Sequence, residues 1–185
     1  MIEKLSNWLE RNANGWLILI LLAVEIAFMG FILPGAQAKI EGFSGGVGVL
    51  DLTFFPSAEK ILADINAYGD EGRAFYRTVE LTADILYPIS YTLFYSLLAA
   101  FLLQRAFPAN GAIQRLNVIP FGAWFFDLLE NVGLVGLLSV FPAQPVALAW
   151  FVTFANGVKW IFAGASVLVL FFALGAWVFR KIRGG

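Results

Sequence analysis

Residues 73–95, RAFYRTVELTADILYPISYTLFY, decide how this chain is read. On a helix turning about 100° per residue, Arg73, Arg77, Glu80, Asp84, Tyr87, Tyr91 and Tyr95 fall in one narrow stripe. The rest of the segment is mostly Val, Leu, Ile, Phe, Ala and Thr, so the stripe must face something other than lipid. A second helix supplies a partner, because Asp127, Glu130 and Asn131 stand at i, i+3 and i+4 inside another apolar run. The pattern predicts an acidic site inside a membrane helix bundle.

Composition sets the class. The chain has 185 residues, 60% hydrophobic and 14% charged, against roughly 45–50% apolar and about 25% charged for soluble domains. It reads as a polytopic, all-α integral membrane protein. A net charge of −1 offers no basic footprint for nucleic acid. With neither cysteine nor histidine, thiolate catalysis, Ser-His-Asp hydrolysis, imidazole-ligated haem and ordinary zinc sites each lose a required residue. Acid–base chemistry falls to carboxylates, Lys159 and tyrosines. No cofactor and no metal are expected.

Working outward, residues 1–15 read as an amphipathic interfacial helix, with Ile2, Leu5, Trp8 and Leu9 on one side. Four spans follow at about 16–34, 71–103, 116–141 and 146–179, in a single membrane domain. The first resembles a signal peptide followed by Ala36-Gln37-Ala38, but its length and Glu25 favour a retained span. Residues 35–70 form a capping loop with a flexible glycine entry at Gly42 to Gly48. Leu50 to Phe55 is expected to be extended, and a short helix from Ala58 to Tyr68 is expected to start at Ser57 and stop at Gly69. Asp70 is the expected N-cap of the second span and Pro88 its expected kink. Positive residues gather at Lys4, Arg11, Arg105, Arg115, Arg180, Lys181 and Arg183, which predicts cytoplasmic termini in a bacterial-type inner or plasma membrane.

Each span carries an ionisable group: Glu25, then Glu80 and Asp84, then Asp127 and Glu130, then Lys159. At a helix centre each costs about 2.5–3.5 kcal/mol on insertion scales, so mutual contact is the natural compensation. Lys159 pairing with Asp127 or Asp84, and Glu130 with Asn156, would suffice merely to hold helices together. Five carboxylates against one lysine exceed that need, even with Arg73 or Arg77 neutralising another at the mouth. The surplus predicts a pocket in the outer half of the bilayer for a membrane lipid or another small hydrophobic or amine-bearing, lipid-like ligand. Its residues are Glu25, Glu80, Asp84, Tyr87, Tyr91, Trp124, Asp127, Glu130, Asn131, Asn156, Lys159 and Trp160, with the five acids as candidates for any catalysis. An ion- or proton-translocating protein and a purely structural subunit stay open as alternatives, as does a homodimer.

The order of these parts resembles the EXPERA group, four-helix membrane proteins that include sterol Δ8-Δ7 isomerase and the sigma-2 receptor. The resemblance is carried by Glu25, the capping loop, Glu80 followed by Pro88, and Asn156 with Trp160. It implies a four-helix bundle that holds an amine or a carbocation-like intermediate between membrane acids, with Glu25, Glu80 and Asn156 as site residues. The chain departs from that group in lacking the isomerase-site histidine and in carrying Lys159.

Overall fold

A computed structural model describes residues 1–108 and 111–184. Positions 109–110, between the second and third spans in sequence, and Gly185 lie outside the described residues, and with them the polar turn expected at Asn110. Within them the chain is helical, with no strand. Four stretches are long and apolar enough to cross a membrane: Gly15–Ser44, Gly69–Ala106, Gly111–Val140 and Val146–Ile182. The chain is an all-α integral membrane protein.

The amphipathic helix α1 (Ile2–Asn12) folds against the bundle, burying Leu9 and Ser6 and leaving Ile2 and Trp8 exposed. The Gln104 and Asn117 amides donate to the carbonyls of Glu10 and Ser6, at 2.8 and 3.4 Å. Asn14 then caps α2 (Gly15–Ala27) by accepting from the Leu17 N–H at 2.9 Å. The first span does not stop at Pro34. After α2 the ladder widens into a π-helical turn over Phe28–Ile32, and α3 (Leu33–Ser44) carries on with Pro34 in its first turn. Proline has no N–H to donate, so it is tolerated where the ladder is already shifting register. Gly45, at φ +71°, ends α3 in the left-handed conformation, ten residues later than the sequence suggests.

The cap therefore begins at Gly45. Residues 50–55 form turns rather than an extended run. Helix α4 (Ala58–Ala67) starts at Ser57 as expected, its hydroxyl accepting from the Lys60 N–H at 3.2 Å. Helix α5 (Gly69–Glu80) has no side-chain cap, because Asp70 lies inside its first turn and pairs with Arg73 instead. The second span breaks at Leu81–Thr82, not at Pro88, and resumes as α6 (Ala83–Ala106). Pro88 lies in the second turn of α6, where it has no N–H for the carbonyl of Asp84. Asn131 takes that place from the third span, donating to the Asp84 carbonyl at 2.8 Å.

A short α7 (Gly111–Gln114) and a 3₁₀ turn (Arg115–Val118) lead into α8 (Pro120–Val140), which pairs with the long α9 (Val146–Ile182) across the 141–145 hairpin. Helix α6 is the hub, touching α1, α2, α8 and α9. Both termini lie at one end, where Arg115 meets Glu3 and Arg180 donates to the Ala106 carbonyl.

The interior is layered. At the cap end, Ile40, Leu50, Ile61, Ile65, Tyr68 and Tyr76 pack with Leu134, Leu137 and Val152. At the other end, Leu9, Ile18, Leu97 and Ala100 form one apolar cluster, and Leu102, Leu103 and Ala173 another. Between these cores lie the buried charges. Their positions depend on how closely α8 approaches α9. At Gly133 an added Cβ would sit 2.5 Å from the Val152 Cγ2 atom, so only glycine lets the helices meet there. Gly133→Ala should cost about 1–3 kcal/mol by overpacking, read as a lowered Tm of the detergent-solubilised protein. An unchanged Tm would show that the interface has slack.

Candidate functional site

The site is assembled around Lys159, whose ammonium lies 2.5 Å from Glu130 Oε2 and 3.4 Å from Asp127 Oδ1, and donates to the Asp51 carbonyl at 3.1 Å. Lys159 is 8% exposed, Asp127 5% and Glu130 0%, so none of these charges is shared with solvent. The remaining oxygens are also engaged. Asp127 Oδ2 accepts from the Tyr91 hydroxyl at 2.8 Å, and Glu130 Oε1 from the Asn156 amide at 2.9 Å. A buried ion pair is tolerated only with such complete satisfaction.

Asn156 makes the cap part of this network. Its Nδ2 also donates to the Thr53 carbonyl at 3.0 Å, and its Oδ1 accepts from the Phe55 N–H at 2.9 Å. The Thr153 hydroxyl donates to the Pro56 carbonyl at 2.8 Å. Phe55, at φ +52°, lays its ring on Gly157, where an added Cβ would fall 2.0 Å from a ring carbon. Two consecutive turns of α9 thus hold the loop. The opposite side of the loop is held by tyrosines: the Leu50 N–H donates to the Tyr76 hydroxyl at 2.8 Å, which donates to Asp51 Oδ1 at 3.0 Å, and the Tyr68 hydroxyl donates to the Gly48 carbonyl at 2.7 Å. Burial, with Asp64, Asp51 and Glu80 nearby, pushes the Tyr68 hydroxyl above its ordinary pKa, so it stays a donor.

Glu80 and Asp84 lie beside this network with less company. Glu80 is 1% exposed, and among the described residues neither of its carboxylate oxygens has a hydrogen-bond partner; Asp84 Oδ2 is likewise unpartnered among them. Both side chains line a void of about 20 Å³ whose other walls include Leu33, Ala36, Val49 and Leu52. That volume is the size of a single water-sized group. An apolar cavity walled by Tyr87 and Trp160 is the expectation from sequence, whereas this void is walled by α3, α5 and the cap, and neither Tyr87 nor Trp160 lines it.

The other expected residues are distributed differently. Glu25 accepts from the Ser90 hydroxyl at 2.5 Å and forms a separate contact lower in the bundle. Tyr87 donates to the Met29 sulfur at 3.0 Å and stacks edge-on against Tyr91. Trp160 leans on Phe54, and Trp124 on Phe121. Asn131 supports the Asp84 backbone rather than a ligand, though its Oδ1 is free. Arg73 neutralises no site acid: it pairs with Asp70, donates to the Ile65 carbonyl at 3.1 Å and lies over the Phe141 ring. Arg77 takes no part in the ion pairs of the site. Sequence reading missed Asp51, Tyr76 and Ser90. Tyr76 stands one turn before Glu80 and had a signal in that spacing; Asp51, alone in an irregular loop, had none.

The distance from Asp84 to Arg105 along α6, and from Lys159 to Arg180 along α9, is roughly 31 Å at 1.5 Å per residue. That equals the hydrocarbon thickness of about 30 Å. With the arginines at one face, the acids and the lysine stand at the other, beneath the cap. No protein-family model, curated protein or solved structure matches this chain.

Removing the lysine tests the network. Lys159→Met leaves Asp127 and Glu130 buried without a cation and should cost about 3–5 kcal/mol of stability. Adding Glu130→Gln and Asp127→Asn should restore a large part of the loss. Thermal unfolding of the single and triple variants would check this; equal Tm values for wild type and Lys159→Met would show that the lysine is not the counter-charge.

Proposed function

We propose that this chain is a membrane-embedded binding protein or lipid-modifying enzyme whose acidic site takes a small amine-bearing, lipid-like ligand. The observation that carries this reading is the Glu80 carboxylate, buried with both oxygens unpartnered beside Asp84 on a small void. Lys159 is already engaged by Asp127 and Glu130, so it is not available to balance the two further acids. A buried carboxylate without a donor calls for a proton or a cation from elsewhere. An ammonium group supplies both charge and hydrogen-bond donors. The EXPERA resemblance points the same way, since those proteins hold an amine or carbocation-like intermediate between membrane acids. Any reaction would be proton transfer, with Glu80 and Asp84 as the acid–base pair.

An ion or proton pathway would need polar groups to continue towards the termini. The buried positions of α6 beyond Ser96 are Leu97, Ala99, Ala100, Leu102, Leu103 and Ala106, which favours a blind site. The clustered Lys and Arg residues at the termini support a reading in which that end is cytoplasmic and the cap lies outside, and we read the membrane as a bacterial-type inner or plasma membrane.

Native mass spectrometry with lipidomics on the purified protein tests the reading. An amine-bearing molecule should co-purify with the wild type and be lost from Glu80→Gln and Asp84→Asn, while both variants keep their fold. If neither substitution changes what co-purifies, the acids serve the scaffold alone.

A further inference from the structure

The cap holds a second, larger cavity of about 440 Å³, within the roughly 300–1,000 Å³ range of small-molecule sites. Its polar lining comes from Gln37, Glu41, Gly48, Thr53, Lys60 and Asp64. Glu41 is bridged to Gln37 at 2.8 Å and Lys60 to Asp64 at 2.6 Å, so the lining carries one more carboxylate than ammonium. Charge of that sign draws organic cations and repels anions.

The two cavities share walls. Val49 and Leu52 line both the large cavity and the small void at Glu80 and Asp84. Helix α3 runs past both as well, presenting Gln37 and Glu41 to the first and Leu33 and Ala36 to the second. What separates the large cavity from the unpartnered carboxylates is therefore a short piece of loop with two apolar side chains. Leu52 is 51% exposed and lies in a stretch of turns, between Gly46 (φ +112°) and Phe55 (φ +52°). The backbone beside it is fixed at Leu50, Asp51 and Thr53 by Tyr76, Lys159 and Asn156. The side chain of Leu52 can turn without undoing those bonds.

We propose that the cap cavity is the mouth of the buried acidic site, that Leu52 with Val49 is the plug between them, and that the ligand is a primary amine entering head first from the cap side. This rests on the acidic-site reading above and narrows its ligand. With Leu52 turned aside and the ligand's chain passing it, the void beside Glu80 still has room for a head of about one water-sized group, which an –NH₃⁺ head matches and a trimethylammonium head exceeds. The body of the molecule then occupies the larger cavity, against Val47, Val49 and Leu52 on one side and the Gln37–Glu41 and Lys60–Asp64 pairs on the other.

The chain has no cysteine, so one introduced thiol reports alone. In full-length protein reconstituted into liposomes, Glu80→Cys should react slowly with water-soluble aminoethyl methanethiosulfonate added on the cap side. Leu52→Ala in that background should raise the rate roughly ten-fold or more by easing a local opening, and Leu52→Trp should lower it. Isothermal titration of the otherwise wild-type protein should show binding of n-hexylamine but not of hexyltrimethylammonium. Labelling indifferent to both Leu52 variants overturns the route while leaving the acidic site standing. Equal binding of the two amines overturns the head-group assignment, and undiminished n-hexylamine binding by Glu80→Gln overturns the reading on which the proposal rests.

Discussion

The burial of one ammonium group governs this structure. Lys159 sits on a helix that is otherwise apolar for most of its length, and its charge cannot reach water. Taking it out of water is tolerable only if anions come with it and every remaining donor and acceptor is filled. That requirement draws α8 against α9 so that Asp127 and Glu130 reach the ammonium, with glycine at 133 permitting the approach. It brings Tyr91 from α6 to Asp127 and Asn156 to Glu130. It also brings the cap, because the third oxygen at the ammonium is the carbonyl of Asp51. Three spans and a loop are fixed relative to one another by the needs of one side chain.

The cap is consequently part of the bundle rather than a cover laid over it. Its backbone has no regular partner between Gly48 and Pro56, and irregular backbone at the edge of a membrane must find its hydrogen bonds in the protein. Tyr68, Tyr76, Thr153, Asn156 and Lys159 supply them. The same bonds that satisfy the loop hold Leu52 and Val49 over Glu80 and Asp84, so the architecture of the cap and the enclosure of the acids have one cause.

Much of this was legible in the sequence, and the misses have physical reasons. The four spans, their order and the helix start at Ser57 followed from hydropathy and capping chemistry, which depend on neighbours in the chain. The contact of Lys159 with Asp127, one of the two acids expected for it, and of Glu130 with Asn156 was legible because six ionisable positions on four apolar helices leave few alternatives. The prolines misled. At Pro34 a π-helical turn absorbs the missing N–H, and at Pro88 a side chain from another helix takes over the freed carbonyl, so neither proline ends its helix. The break at Leu81–Thr82 carries no Gly or Pro. Asp51 was invisible because its role is set by tertiary folding of an irregular loop.

The separation of the acids into two groups bears most on what the site is for. Asp127, Glu130 and Asn156 are accounted for by helix cohesion alone: each is fully engaged, and the ion pairs bind α8 to α9 as interhelical polar contacts in membranes do. Those residues, though closest to the lysine, therefore say little about function. Glu80 and Asp84 are different, since no hydrogen bond among the described residues repays the burial of their free oxygens, and apolar residues of similar size would pack there at lower cost. Cohesion gives no reason to keep two carboxylates in that place. Their position beneath the two apolar side chains that divide them from an acidic, polar-lined cavity gives one, which is that the missing partner arrives from outside the fold.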